Sequence, residues 1–243
     1  EHDSIEKALH YTDKMIQEGA DVIDVGAMSS RPGAQMSNPG DESKLLIPLL
    51  VELLKSFPDT LFSIDTVHSE VAEKSIQTGA HIINDISGGN YDKLMLSVVG
   101  KYDIPYVGMH MKGTPANMNS KNTYSNLMDD ILQYFKTLMI RAEENNIKDI
   151  IIDPGFGFSK NIPQNLLLLK KLSILNIFDQ PVMVGLSRKS TIYKTLGVTP
   201  QEALNGTTSL HMIALNNGAD ILRVHDVKEA LECVKLYLRY KDA

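Results

Sequence analysis

Apolar and polar residues follow two periods along this chain, and the alternation between them is regular. Three segments, "EGADVIDVG" (18–26), "TGAHIINDI" (78–86) and "NGADILRVHD" (217–226), each join a Gly-Ala pair to a short apolar run. Each comes directly after a stretch of helical period, at 5–17, 70–77 and 203–216. Gly19, Gly79 and Gly218 are therefore expected in the left-handed conformation that ends a helix and feeds a buried strand. Four further apolar runs read as strands: "LFSIDT" (61–66), "PYVGMHM" (105–111), "DIIIDPG" (149–155) and "PVMVGLS" (181–187). Helical patterns fill the intervals, notably 124–145 and 163–172. Strands apolar on both faces and alternating with helices indicate a parallel sheet in an α/β fold.

The pattern gives seven strands, shows no break into domains, and begins on a helix. We read it as a single domain over 1–243, a (β/α)8 TIM barrel whose first strand lies upstream of Glu1. An open seven-stranded sheet is the competing arrangement. The barrel is preferred because polar residues gather at one consistent place, the end of each strand, which in (β/α)8 enzymes is the catalytic mouth.

Composition narrows the chemistry. With 43% apolar residues and a formal charge of −6, the chain has ample core and no basic surface to attract nucleic acid or an anionic membrane. Any bound anion must be held by a local group of cations. The lone Cys233 excludes an internal disulfide and is expected to pack in the core of the last helix. No apolar run approaches membrane-spanning length and no signal peptide is visible, so a soluble, cytoplasmic protein is expected.

In chain order the strand ends carry Ser30-Arg31, Asp65-Thr66, Asn84-Asp85, His110, Asp153, Ser187-Arg188-Lys189, and Arg223 with His225. Each has a modest structural explanation. Asp65 could cap the following helix, Asp153 before Pro154 could hold a turn, Asn84 could be a satisfied amide, and His110 is expected to support rather than react. As a set they divide in two. Asp65, Asn84 and Asp153 offer carboxylates and an amide suited to a flat heterocycle bearing amino and ring N–H donors. Arg31, Arg223 and His225 offer positive charge for phosphate or diphosphate oxygens. Lys189 could serve either group. Pro32 holds Arg31 in extended geometry, and Gly33 lets the chain turn away.

The motifs "VGAMSSRPGA", "FSIDT", "HIINDISGG", "GMHMKGTPANM", "IIIDPGFGFSK", "VGLSRKS" and "LRVHDV" occur in the order and spacing of the bacterial dihydropteroate synthases, which the chain resembles over nearly its whole length. The resemblance implies a transferase joining p-aminobenzoate to 7,8-dihydropterin-6-ylmethyl diphosphate in folate biosynthesis, the sulfonamide target. It implies that Asp65, Asn84 and Asp153 bind the pterin, with Ile86, Met111 and Gly185 lining its pocket and Arg223 along its face. Lys189 is implied between pterin and aminobenzoate, and Pro32, Phe158 and Ser190 around the aminobenzoate. Arg31, His225 and Arg223, with Ser30, are implied for the diphosphate; Arg31, Lys189 and His225 carry the catalytic roles. The resemblance further implies Mg²⁺, with a ligand upstream of Glu1, and a homodimer through the late helices. Met28 stands where the family often has glutamate, and Ser30 where it often has threonine.

The chemistry implied is a largely dissociative substitution in which charge grows on departing diphosphate and an unprotonated aromatic amine attacks without a strong base. Three other readings stay open on residues alone. A pterin-binding methyltransferase-type domain would keep the two aspartates and the asparagine but has no use for the cations. A Schiff-base aldolase would use Lys189. A non-catalytic pterin-binding module would not need the anion clamp.

Overall fold

A computed structural model of the protein describes residues 2–27 and 38–243. All seven expected strands form: β1 (Val22–Val25), β2 (Leu61–Asp65), β3 (Ile82–Asp85), β4 (Tyr106–Met109), β5 (Ile150–Asp153), β6 (Met183–Val184) and β7 (Ile221–Leu222). The helices are α1 (His2–Gln17), α2 (Pro39–Ser56), α3 (Ser69–Thr78), α4 (Met95–Tyr102), α5 (Leu127–Glu144), α6 (Ile162–Lys170), α7 (Ser190–Leu196), α8 (Leu204–Asn216) and α9 (Val227–Lys241). Gly19, Gly79 and Gly218 take positive φ of 98°, 121° and 94°, as the helix-ending positions require.

The chain divides into two units. The first comprises Glu1–Met109 with Leu138–Ile150. Its sheet is parallel in the order β1-β2-β3-β4, with Val22 opposite Leu61, Ser63 opposite Ile82 and Ile83 opposite Tyr106. Phe62, Ile64, Ile83 and Tyr106 are wholly excluded from solvent. The middle residues of β2 are buried on both faces, the signature of a parallel sheet covered by helices. Each such side chain contributes about 1.5–3 kcal/mol through burial. Gly108 on β4 is small for a reason: a Cβ there would lie 2.5 Å from Leu138 Cδ2, so the glycine lets this part of α5 seat on the sheet.

The second unit comprises His110–Thr137 with Ile151–Ala243. Here β6 and β7 pair in parallel, Met183 opposite Ile221, and Ile152 bridges to Val182. The Asp220 carboxylate accepts from Val182 N at 2.9 Å, fixing this register from the edge. A capping box starts α6: Asn161 Oδ1 accepts from Gln164 N at 2.9 Å while Gln164 Oε1 accepts from Asn161 N at 2.8 Å. Cys233 is buried as expected, its Sγ 3.7 Å from Thr208 O across the packed α8 and α9.

Candidate active site

In the first unit the polar strand ends cluster around the amide of Asn84. Asn84, 4% exposed at the end of β3, donates through Nδ2 to Asp24 Oδ2 on β1 at 3.0 Å. The two are separated by β2, where Ser63 stands opposite Asp24; its short side chain leaves room for the amide to reach across. Asp65 closes β2 in register with Asn84 and is half-buried. The cap residue of α3 is His68, whose side chain makes no cap bond. Instead, Ser69 N at the start of α3 donates to Asp92 Oδ2 at 2.8 Å. Gly26 follows from this crowding, since a Cβ there would meet Asp65 Cβ at 3.1 Å.

Asp85 turns to a different task. Fully buried, it accepts from Ser87 N and Gly89 N, both at 2.7 Å, and from the Tyr106 hydroxyl at 2.8 Å. Burial pushes its carboxyl pKa up in spite of these donors. Arg141 holds the same loop from its other side, donating to Gly89 O at 2.6 Å and Asn90 Oδ1 at 2.9 Å. Ile86, between Asn84 and this anchored loop, is buried.

In the second unit the cations and Asp153 come together. Asp153, 7% exposed, accepts from Gly155 N through Oδ1 at 2.7 Å. The turn-holding reading is thus correct for one oxygen, while Oδ2 has no hydrogen-bond partner among the described residues. Burial raises the Asp153 pKa, opposed by the charges of Lys189, Arg223 and Lys160. Lys189 begins α7 in extended geometry. Its ammonium donates to Phe156 O and lies 4.7 Å from the centre of the Phe158 ring. Burial, against the pull of Asp153, lowers its pKa to about 8. Gly185 and Gly157 flank it: added Cβ atoms would lie 3.5 Å from Lys189 Nζ and 3.1 Å from Lys189 Cδ. Ser190 follows as the first residue of α7.

Arg223 and His225 are exposed at the end of β7. His225 Nδ1 meets Ser187 Oγ at 3.1 Å, which fixes the ring. Although the residue as a whole is exposed, the protein packed around its ring and then the Arg223 charge lower its pKa. Met111, half-buried, follows His110 past the end of β4. His110 itself is 2% exposed and set edge-on to Tyr134 with centroids 4.9 Å apart. Ser30, Arg31 and Pro32, with Met28, lie outside the described residues.

Three contributors were not singled out in the sequence. Asp24 had a visible signal, a carboxylate inside the apolar run "VIDV". Lys160 is buried beside Asp153 and is marked only by following three small residues in "PGFGFSK". Asp226 grips Arg188 through both carboxylate oxygens, at 2.8 and 2.9 Å, across a separation no local pattern discloses. Among the described residues, no three His, Cys, Asp or Glu side chains are grouped so as to hold a metal ion.

The comparisons agree with this chemistry. The family model described as pterin binding enzyme matches residues 1–225. A dihydropteroate synthase from Synechocystis sp. is 37% identical over 239 residues, covering 97% of this chain and 82% of that protein. The Yersinia pestis dihydropteroate synthase in complex with a sulfonamide drug superposes with a TM-score of 0.94 at 37% identity, covering 98% of this chain and 87% of that one. The Thermus thermophilus dihydropteroate synthase in complex with 4-aminobenzoate gives 0.89 at 33% identity, covering 95% and 88%. The fold class expected from the strand pattern, the TIM barrel, is the one these synthases carry. The chain belongs to the pterin-binding enzyme family and, within it, to the dihydropteroate synthases.

Proposed function

We propose that the protein joins p-aminobenzoate to 7,8-dihydropterin-6-ylmethyl diphosphate, releasing diphosphate, as the synthases it resembles are named for doing. The observation that carries the reading is Asp153. The residue is 7% exposed and lies among cationic side chains, and among the described residues only its Oδ1 is hydrogen-bonded, which suits Oδ2 to an amino or ring N–H of a pterin. Asp65 and Asn84 serve as further pterin partners in this reading, with Ile86, Met111 and Gly185 as apolar lining and Arg223 along the ring. Phe158, Ser190 and Pro32 border the aminobenzoate, and Lys189 hydrogen-bonds at the meeting of the two substrates.

The reaction breaks the C–O bond between the methylene and diphosphate and forms a C–N bond to the aromatic amine, which then sheds one proton. The electron-rich reduced pterin spreads the positive charge that develops at the methylene. His225, Arg223, Arg31 and Ser30 meet the negative charge growing on the leaving group. No strong base is required, because an aniline nitrogen is unprotonated at pH 7. Magnesium fits this scheme as a companion of the diphosphate, since Mg²⁺ is commonly held by substrate phosphates with few protein ligands.

A homodimer through the late helices and a cytoplasmic location complete the reading; no helix among the described residues is long and apolar enough to cross a membrane. The test is diphosphate release by the full-length protein with both substrates and Mg²⁺. Release that depends on p-aminobenzoate is expected, and Asp153→Asn should raise the KM for the pterin diphosphate by about tenfold or more, from a lost charge-assisted hydrogen bond of about 1.5–3 kcal/mol. Release independent of p-aminobenzoate would refute the assignment.

A further inference from the structure

The loop that joins β5 to α6, "PGFGFSK", is folded around a lysine. Gly155, Gly157 and Ser159 have φ of 72°, 80° and 48°, so every second residue is left-handed. Such reversals turn main-chain carbonyls inward, and they converge on one atom. Lys160 Nζ lies 3.0 Å from Gly155 O, 3.1 Å from Phe158 O and 3.3 Å from His110 O, with His110 Nδ1 at 2.9 Å. Burial, against the pull of Asp153, lowers the Lys160 pKa to about 7, so the cage holds an ammonium below that pH; the ammonium has three protons, and the cage presents four acceptors. Lys160 is 7% exposed and His110 2% exposed, so neither exchanges these partners for water.

The cage admits no cheap substitute. A Cβ on Gly155 would fall 2.1 Å from His110 O, which is one of the three carbonyls facing the ammonium. The imidazole accepts at Nδ1, which assigns its proton to Nε2. Burial and the nearby Lys160 and Lys112 charges lower the His110 pKa to about 2, so the ring stays neutral and available as an acceptor. Gly155 O also accepts from Phe158 N at 3.1 Å, so without a cation at its centre the cage would strip the lysine donor chiefly from Phe158 O and His110 O, at a cost of about 1–3 kcal/mol for each buried group left unpaired.

What this loop carries gives the cage its purpose. Phe156 O receives the Lys189 ammonium, and the Phe158 ring lies under it. Gly155 N holds Asp153 Oδ1. Asn165 adds two further ties, accepting from Gly157 N at 2.8 Å and donating to Lys160 O at 3.0 Å. Three groups to which we give substrate roles, Asp153, Phe158 and Lys189, are thus set by a loop whose carbonyls point at Lys160.

We propose that Lys160 is a positioning residue: its ammonium is a built-in cation at the centre of the 154–160 loop, and it fixes that loop so that Phe158 and Lys189 meet p-aminobenzoate in the right place. This rests on the dihydropteroate synthase reading for its effect on substrate, and on the cage alone for its effect on the loop. Lys160 touches no reacting atom in this scheme and is not a catalytic residue.

The two parts are tested together in the full-length protein. In Lys160→Met, which keeps most of the volume and removes the donors, the amides of Gly155, Gly157 and Phe158 should exchange hydrogen at least about tenfold faster, a loss of about 1.4 kcal/mol of local protection. The value of kcat/KM for p-aminobenzoate should fall by about 100-fold, mostly through KM, as expected of a misplaced binding loop. In Lys160→Ala, ammonium or potassium ions should restore slow exchange and a low KM, while tetramethylammonium, too large for the cage, should not. Loop exchange and KM at their unsubstituted values in a folded variant, even with a lowered Tm, would overturn the proposal, as would failure of small cations to rescue Lys160→Ala. If the unsubstituted protein shows no p-aminobenzoate-dependent release, the functional reading falls; the cage is then judged by amide exchange and its rescue.

Discussion

Arg188 sits at φ +52° between Ser187 and Lys189, a conformation that non-glycine residues seldom adopt. Its side chain accounts for it. Nε and Nη2 grip Asp226 at 2.8 and 2.9 Å, while Nη1 donates to Pro200 O at 2.9 Å and to Gln201 O. The fork stabilises the turn and thereby presents Lys189 at the head of α7. Arg188→Lys keeps the charge but cannot span both carboxylate oxygens and two carbonyls. We expect a loss of about 2 kcal/mol, read as a lower Tm. Arg188 lowers the Asp226 pKa, so the pair's stability is present above the ordinary carboxylate range and is lost as pH falls through the lowered folded value. A Tm difference between the two proteins that stays constant down to pH 2 would contradict this. Lys189 titrates with the opposite sense. Its ammonium is present below about pH 8 and lost above, so its contribution to p-aminobenzoate KM should fade through that pH and persist higher in Lys189→Arg. At this scale the sequence disclosed residues whose position in a strand is informative, such as Asp153 and Asn84. It could not disclose Arg188–Asp226 or Lys160–His110, because partners separated by 38 and 50 positions leave no local periodicity.

Strands were more legible than side-chain partners, and for a physical reason. A buried parallel strand must be apolar on both faces and must be entered from a helix end, so "EGADVIDVG" and its counterparts carry two signals at once. Their lengths were less legible: the apolar run 181–187 yields a strand of only Met183–Val184, because from Gly185 onward the backbone turns towards Lys189 and α7. Likewise the helical pattern 163–172 ends as α-helix at Lys170 and continues as a 3-10 turn over Leu172–Phe178. The β3–α4 connection shows what holds such an irregular element. Asp85 grips the amides of Ser87 and Gly89 from one side, and Arg141 takes the carbonyls and Asn90 from the other. Arg141→Met keeps the apolar stem and removes both donors, and should cost about 1–3 kcal/mol. Amide exchange should quicken at Ser87–Asn90 with little change in the strands. Equal slowing or quickening across β3 and β4 would show that Arg141 supports the sheet rather than the loop.

At the scale of the whole molecule, the formal charge of −6 is set against a local group of cations, Lys160, Lys189 and Arg223, close enough to Asp153 to shift its titration. A protein of this sign depends on that local group, and not on its net field, to hold an anionic substrate. The same scale exposes a second asymmetry. Leu236, Leu238 and Tyr240 on α9 are 66%, 52% and 70% exposed. Leu236 and Tyr240 are one helical turn apart and share a face. Charged residues would normally occupy such positions on a helix facing water, and a second copy of the chain is the occupant that the proposed homodimer supplies. Light scattering of the full-length protein at micromolar concentration should give twice the mass of one chain. Leu236→Glu with Tyr240→Glu should give the single-chain mass, since a stable interface needs roughly 800 Å² per partner and tolerates few desolvated charges. Leu236 and Tyr240 lie three turns and more along α9 from His225 and are exposed, so p-aminobenzoate-dependent turnover by the separated chains should persist. A single-chain mass before substitution, at concentrations well above micromolar, would remove the homodimer from the reading and leave the catalytic assignment standing.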